Sequence, residues 1–261
     1  TIIQNIDKLK RGTESITFEL TANGANREFQ SAWDALLLDR PDIFWIDTSK
    51  IILVTRTTTF IGSVRYKYTL QPQEGSTYYM SSFNSEKDVN NAINEISDVV
   101  SQIVQKCNSG DTYQKVKNAH DAIVSRMEYD QTNSVNNSNI YGAFVEKKAV
   151  CEGYAESFKI IMDKLNIPCV IVYGQGVDGS GNTEAHAWNF VKMDDGIWYA
   201  VDCTWDDPII IGNGWVSPAS RYRYFLKGSN SFSGTHIANG DVSGTGQNFS
   251  YPQLSESDYN R

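Results

Sequence analysis

The chain has 261 residues, with 31 acidic against 23 basic side chains, a formal net charge of −8 and four cysteines. Apolar residues at 40 %, with 6 Trp, 14 Tyr and 11 Phe, exclude wholesale disorder, and the length suits one large domain or a core with an added module. The acidic balance argues against nucleic acid or an anionic membrane face as the main partner, and apolar stretches such as Ile51 to Val54 and Cys169 to Tyr173 are far shorter than the roughly 20 residues of a membrane-spanning helix.

Taken in chain order, Ser15 to Leu20 alternates apolar and polar residues as a half-buried strand does. Phe29 to Leu38 reads as a short helix that stops before Arg40-Pro41, because a residue preceding proline disfavours the α region. Ile51 to Phe60 and Val64 to Leu70 flank Ile61-Gly62-Ser63 and read as a β-hairpin. Ser85, with Asp88 three residues later, opens a helix whose Val89, Ile93, Ile96, Val100, Ile103 and Val104 recur at helical spacing. Asp111 caps a further helix running to about Tyr129, in which His120 shares a mostly apolar stripe and is expected to be a hydrogen-bonded core histidine.

Residues 1–105 are thus expected to form an N-terminal α+β module with its linking helix, with no catalytic constellation of their own. Residues 106–261 are expected to form the second domain. Beyond Pro208 the chain turns rich in Gly, Ser and Asn, which predicts irregular segments with only Tyr222 to Leu226 strand-like.

Four cysteines, none in a C-x-x-C pair, are too few for a disulfide scaffold, so a free thiol becomes the point of interest. Cys151 stands at the start of a predicted helix in which Ala155, Phe158, Ile161, Met162 and Leu165 face inward. Unpaired N–H groups and the helix dipole favour a thiolate there. Taken alone, a cysteine beside an apolar helix is equally a small buried hydrophobe.

Glu184 to Val191 and Gly196 to Cys203 read as two strands joined by the acidic turn Lys192 to Asp195. If Lys192 opposes Gly196, His186 lies opposite Asp202 with both side chains on one face. A one-residue slip would separate them, and a G1 bulge at Gly196 would shift the register. Such a pairing lets a carboxylate orient an imidazole whose other nitrogen takes a proton from a thiol, so that Cys151, His186 and Asp202 form a triad.

The runs Ala149-Val-Cys-Glu-Gly-Tyr-Ala155, His186-Ala-Trp-Asn189 and Trp198-Tyr-Ala-Val-Asp-Cys-Thr-Trp-Asp-Asp-Pro208 together resemble the transglutaminase-like superfamily of papain-type fold. The resemblance extends upstream through His120-Asp121 and Tyr129-Asp130 to Tyr141-Gly142-Ala143, and more loosely downstream through Tyr224 to Leu226, about half the chain in all. It implies an α+β fold, a papain-like transglutaminase core whose Cys-bearing helix packs on an antiparallel sheet. It also implies Cys151 as nucleophile, His186 as base and Asp202 as its orienting partner.

The backbone N–H of Cys151 and the side chain of Tyr141 are candidate oxyanion donors, with Tyr141 equally readable as core. Trp188 is a candidate substrate contact beside His186, and Trp205 a cover over the end of the aspartate strand; each is also readable as core aromatic. Cys107, Cys169 and Cys203 are expected to be structural, Cys203 pointing away from the site.

Cysteine, histidine and aspartate on one site also suit zinc, but His120 and His236 lie outside the matching motifs and a triad explains the spacing without an ion. Calcium has no recognisable loop. No metal and no cofactor are expected. The reading is therefore a cysteine enzyme that hydrolyses or transamidates amide bonds of a protein or peptide substrate through a thioester. The resemblance is to secreted or surface bacterial members more than to the animal crosslinking enzymes, which leans toward hydrolysis and an extracellular or cell-surface location. No signal peptide is visible, and a chain opening on Thr1 is compatible with an upstream targeting segment. The alternative is a cell-surface or extracellular binding module built on a catalytically weak scaffold of this type.

Overall fold

A computed structural model describes residues 2–20, 25–61, 63–207, 218–240 and 249–261. The chain divides into two compact units, residues 1–35 with 43–94, and residues 36–42 with 95–261.

The first unit holds α1 (Ile6–Lys10), β1 (Ile16–Leu20), most of α2 (Ala25–Asp39), β2 (Ile51–Phe60) and β3 (Ser63–Pro72). Its three strands lie in the order β1-β3-β2, all antiparallel. Phe60 pairs with Ser63, so the expected hairpin forms; Gly62 of its turn lies outside the described residues. The inward side chains Ile16, Tyr68 and Leu70 are buried together with Leu9, Trp45 and Tyr78. The Tyr78 hydroxyl donates to the carbonyls of Glu14 and Leu70, satisfying a polar group that burial would otherwise penalise. Helix α3 (Glu86–Cys107) opens where the Ser85 hydroxyl accepts from the Asp88 amide, and Val89, Ala92, Ile96, Val100, Ile103 and Cys107 form its buried stripe. The division between the units falls within this helix.

In the second unit α4 (Thr112–Val124) is capped by Asp111, whose carboxylate accepts from the Gln114 amide. It stops at Val124, short of the expected Tyr129. The Ser125 hydroxyl bonds back to the Asp121 carbonyl, and the Glu128 and Asp130 amides are taken by the carbonyls of Lys147 and Ala149. Residues beyond the helix thereby become β4 (Glu128–Tyr129), a two-residue strand parallel to β5 (Lys148–Ala149).

Helix α5 (Cys151–Lys164) follows at once and packs on a four-stranded antiparallel sheet of order β8-β7-β6-β9. The strands are β6 (Cys169–Val177), β7 (Thr183–Lys192), β8 (Trp198–Val201) and, after the short helix α6 (Ser229–Phe232), β9 (His236–Ile237). On one face Ile171 and Ala187 meet Ala155 of α5, and the Asn189 side-chain amide donates to the Ala155 carbonyl at 3.0 Å. The opposite face carries Val172, Trp188, Phe190 and Ala200 under Tyr224 and Phe232.

One strand lies outside the sequence reading, and one expected strand does not form. Strand β6 sits inside the sheet, although Gly174 and Gly176 interrupt its apolar pattern. A Cβ at Gly174 would lie 2.0 Å from the Ile237 carbonyl oxygen, and one at Gly176 would lie 2.7 Å from the Trp205 ring, so the glycines make room for β9 and for that indole. Tyr222 to Leu226 is not a strand. Residues Pro218–Tyr222 form a 3-10 turn, Leu226 adopts φ 51°, and pairing is confined to Lys227, which exchanges backbone hydrogen bonds with Ala200. The Asp206 carboxylate takes the Tyr224 amide, which a strand would have used in its ladder.

Candidate active site

Cys151 is the first residue of α5, and Val150 before it has extended backbone and no capping side chain. What sets this position is the preceding loop. The Val150 amide donates to the Asn137 carbonyl. Asp130 in turn accepts the amides and hydroxyls of Thr132 and Ser134 and the side-chain amide of Asn137. The Thr132 hydroxyl, first among these donors, and the amides hold the Asp130 carboxyl well below the usual carboxylate range. A mostly polar loop is thus pinned by one carboxylate, and it delivers the chain to the helix start.

His186 and Asp202 come from β7 and from the residue after β8. Their register is not the one expected. Asn189 pairs with Val201 and Lys192 with Trp198, so the strands are offset by two residues from a pairing of Lys192 with Gly196. The turn explains the shift. The Gly196 amide donates to the Met193 carbonyl, the Met193 amide donates to the Ile197 carbonyl, and Gly196 adopts φ 78°, which is the G1-bulge arrangement. A two-residue offset preserves which face each side chain takes, and His186 Nε2 reaches Asp202 Oδ2 diagonally at 2.8 Å.

The carboxylate of Asp202, fully buried, receives four donors. Oδ1 accepts the amides of Thr204 at 2.9 Å and Trp205 at 3.1 Å. Oδ2 accepts His186 Nε2 and also His236 Nε2, at 3.0 Å. Burial by itself would raise the Asp202 carboxyl, but the His186 charge and the two imidazole hydrogen bonds overcome it and hold the group well below the usual range. For His186, burial is the largest single influence and lowers the imidazole. The Asp202 charge, the hydrogen bond to it and a hydrogen bond to the Cys151 thiol together outweigh burial and raise it to about 10. The surroundings thus favour the protonated imidazole, with one nitrogen on Asp202 and Cys151 as its other partner.

Tyr129, Cys151, Glu184, Ala185, His186, Thr204, Trp205 and Asp207 line a cleft of about 400 Å³. The Trp205 indole stacks on the His186 ring at 5.0 Å between centroids. Trp188, expected to contact substrate, is 1 % exposed and lies behind His186, 5.8 Å from it ring to ring, on the wall of a separate cavity with Phe190 and Phe232. It is not among the residues that line the cleft. Tyr141 is not on the cleft wall either: it heads the short helical turn Gly142–Glu146, where burial, then Glu95 and Glu146, raise its hydroxyl. Tyr129 stands in the cleft instead, where burial first, then its neighbours Cys151 and Glu184, raise its hydroxyl. Cys107, Cys169 and Cys203 are buried and free, and Cys151 is the partly exposed one of the four.

Sequence reasoning missed His236, Tyr129, Glu184, Thr204 and Asp207. Tyr129 was within reach, because it lies in the segment that carries the family resemblance; His236 sits in a stretch with neither periodicity nor motif. With His186 and Asp202 it places three ligand-type atoms within 4.8 Å of one another, the one such cluster found among the described residues. The donor set fits a hydrogen-bonded network better than an ion, because the carboxylate's four acceptor positions are already met by four N–H groups at hydrogen-bond distance.

Residues 98–203 match the family described as the Transglutaminase-like superfamily. No curated protein matches the chain. Among solved structures, one described as a TGase is 15 % identical with a TM-score of 0.38, over 79 % of this chain and 54 % of its own. This chain therefore spans about half the length of that protein. A candidate cysteine protease from Cytophaga hutchinsonii is 13 % identical, with a TM-score of 0.36, over 74 % of this chain and 73 % of its own. The periplasmic domain of TgpA from Pseudomonas aeruginosa is 12 % identical, with a TM-score of 0.33, over 62 % and 67 %. Among the described residues no helix is long and apolar enough to cross a membrane.

Proposed function

We propose, from the premise that residues 98–203 are a transglutaminase-like core, that this protein is a cysteine enzyme acting on amide bonds of proteins or peptides, with Cys151, His186 and Asp202 as its triad. The observation that carries the reading is the chain of contacts from the partly exposed thiol at the start of α5 through the His186 imidazole to a buried, ionised Asp202.

In the proposed reaction the Cys151 proton resides on His186, and the thiolate sulfur attacks the amide carbonyl carbon. The C–S bond forms as the carbonyl electron pair moves to oxygen, and the oxyanion lies near the α5 N-terminus, where the Cys151 N–H is available by position. Tyr129 on the cleft wall is the side-chain donor in this reading, in place of the candidate Tyr141. On collapse the C–N bond breaks, and the proton of the His186 imidazolium goes to the departing nitrogen. The resulting thioester is then opened by water or an amine, whose proton returns to His186. Water gives hydrolysis and an amine gives transamidation. We favour hydrolysis of a peptide-type amide in an extracellular or cell-surface setting. The carboxylates of Glu184 and Asp207 on the cleft wall favour a segment bearing positive charge.

The test is brief iodoacetamide treatment from pH 5 to 9 with peptide mapping. Cys151 is expected to label well before the three buried thiols and to do so below pH 7 in wild type but not in His186→Ala. Labelling that is slow and follows an ordinary thiol would return the protein to the class of binding modules. Cys151→Ala is expected to keep the thermal melt of wild type and to lose amide turnover entirely; residual turnover would remove the nucleophile assignment.

A further inference from the structure

We infer that His236 is a positioning residue of this site, a second imidazole that donates to Asp202 and holds its carboxylate ionised and aimed at His186. The inference rests on the triad reading above. Both imidazoles use Nε2, and both meet the same oxygen, Oδ2, at 2.8 and 3.0 Å. An ionised carboxylate only accepts, so His236 Nε2 must carry a proton. Burial, the largest influence on His236, lowers it, while the hydrogen bond to Asp202, the Asp202 charge and the Phe232 carbonyl work the other way. On the far side of the ring the Thr235 hydroxyl stands 2.9 Å from Nδ1 and 3.2 Å from the Phe232 carbonyl oxygen, which holds the ring with Nε2 towards Asp202.

The surroundings fix the ring as firmly as they fix its proton. Phe232 stacks on it at 3.8 Å between centroids, while Trp188, Trp205 and Tyr224 enclose it at 5.0, 4.5 and 5.3 Å. Its backbone is held by pairing with Gly176 of β6, where the absence of side chains at Gly174 and Gly176 admits β9 and Trp205. The glycines of β6, the two-residue strand β9, the stacked Phe232 and the Thr235 hydroxyl thus converge on one N–H bond. The consequence is chemical. With two amides on Oδ1 and two imidazoles on Oδ2, Asp202 cannot rotate and does not take up a proton in spite of complete burial, so the His186 imidazolium keeps its counter-charge.

The test is a titration of the histidine ring nitrogens by NMR in wild type, His236→Phe and His236→Gln, with thermal melts of each and the pH profile of Cys151 alkylation alongside. Other ionisable groups near the pair are Cys151 on α5, Tyr129 on β4, Glu184 on β7, Cys203 and Asp206 after β8, and Arg223 and Tyr224. All are unchanged in these variants. In wild type, His236 is expected to carry a proton on Nε2. His236→Phe is expected to lower the His186 midpoint by about one pH unit and to slow alkylation at pH 6 to 7 by about ten- to a hundredfold. His236→Gln, whose terminal amide can present an N–H in place of Nε2–H, is expected to restore both to within about threefold of wild type.

A wild-type His236 with no proton on Nε2, an unmoved or raised His186 midpoint in folded His236→Phe, or a Gln variant no better than Phe would each overturn the inference. Should His236→Phe not fold, the wild-type ring and His236→Gln carry the test. A proton on Nε2 in wild type with a His186 midpoint kept in the Gln variant supports the role, and an unprotonated Nε2 overturns it. The two readings fail separately. An unreactive Cys151 in wild type removes the enzyme, whereas the Nε2 proton and the His186 midpoint report on His236 either way.

Discussion

Two buried histidine–aspartate pairs place their carboxylates four residues apart, at Asp202 and Asp206, and differ in their surroundings. His186 meets Asp202 at 2.8 Å, and His120 meets Asp206 at 3.1 Å. The difference lies in what else each partner touches. Asp202 receives four donors; Asp206 receives two, the Tyr224 amide and His120 Nε2. Burial dominates at Asp206 and raises its carboxyl to about 6, whereas at Asp202 the extra donors reverse the effect of burial.

The two imidazoles differ likewise. His120 Nδ1 is 3.2 Å from Asp121, a residue also held by Lys117 and the Tyr222 hydroxyl, so both His120 nitrogens face carboxylates. His186 spends one nitrogen on Asp202 and has the Cys151 thiol as its other partner. A histidine with both nitrogens bound to acids is a cross-link between segments, and one bound on a single side can pass a proton.

This contrast can be broken most severely at Asp202. Asp202→Asn is expected to cut the rate of Cys151 alkylation or turnover by about 10³- to 10⁴-fold, because the amide favours the wrong imidazole tautomer. A loss under tenfold would mean that the four-donor shell has no bearing on the thiol.

His120→Phe should act in the opposite sense. We expect unfolding in urea to show a loss of about 3 kcal/mol, since removing one partner strands the buried Asp206, while the folded variant labels at Cys151 within about threefold of wild type. If labelling falls as far as in Asp202→Asn, the second pair belongs to the reaction and the distinction fails.

Stability against pH sharpens the comparison further. Asp202 is depressed in the folded protein, so its contribution is present above the ordinary carboxylate range and is lost as pH falls below it. His186 is raised to about 10, so its contribution is complete below its ordinary value near 6.5 and is lost as pH rises through about 10. Asp206 is raised to about 6 and works in reverse, its contribution being lost as pH rises through that value. Urea midpoints from pH 3 to 10 should therefore show an advantage of wild type over Asp202→Asn that shrinks below about pH 4. An advantage that instead grows on acidification would contradict the ionised Asp202.

The smallest effect is expected at Asp121, whose side chain is 40 % exposed. Asp121→Asn should cost no more than about 1 kcal/mol in urea and leave labelling untouched, because solvent screens that end of the network.

A good part of this arrangement was legible in the residues. The apolar stripe after Cys151 marks α5, the alternation around His186 marks β7, and Asp111 marks the start of α4, because each signal is local and spans a few turns or residue pairs. His120 as a hydrogen-bonded core residue followed from its place on an apolar stripe, and the structure finds it buried against Asp206. The hairpin register was harder, since the pairing depends on whether Gly196 enters the turn as a bulge, and only the face of each side chain survives either choice. Strand β6 was illegible for a related reason. Its glycines answer to a carbonyl in β9 and an indole after β8, and neither neighbour is close in sequence.

By itself the sequence determined where a thiol, an imidazole and a carboxylate stand in the chain, that the cysteine opens a helix, and that histidine and aspartate share a face of one hairpin. Those properties follow from residue type, period and parity, which any folded state of the chain must respect. The tertiary structure alone decided that His236 arrives on Asp202 from a two-residue strand, that Trp188 is sealed behind the site while Trp205 walls it, and that Tyr129 rather than Tyr141 stands in the cleft. These depend on packing between segments distant along the chain, where the competition for buried space and for the lone pairs of one carboxylate settles which side chain sits where.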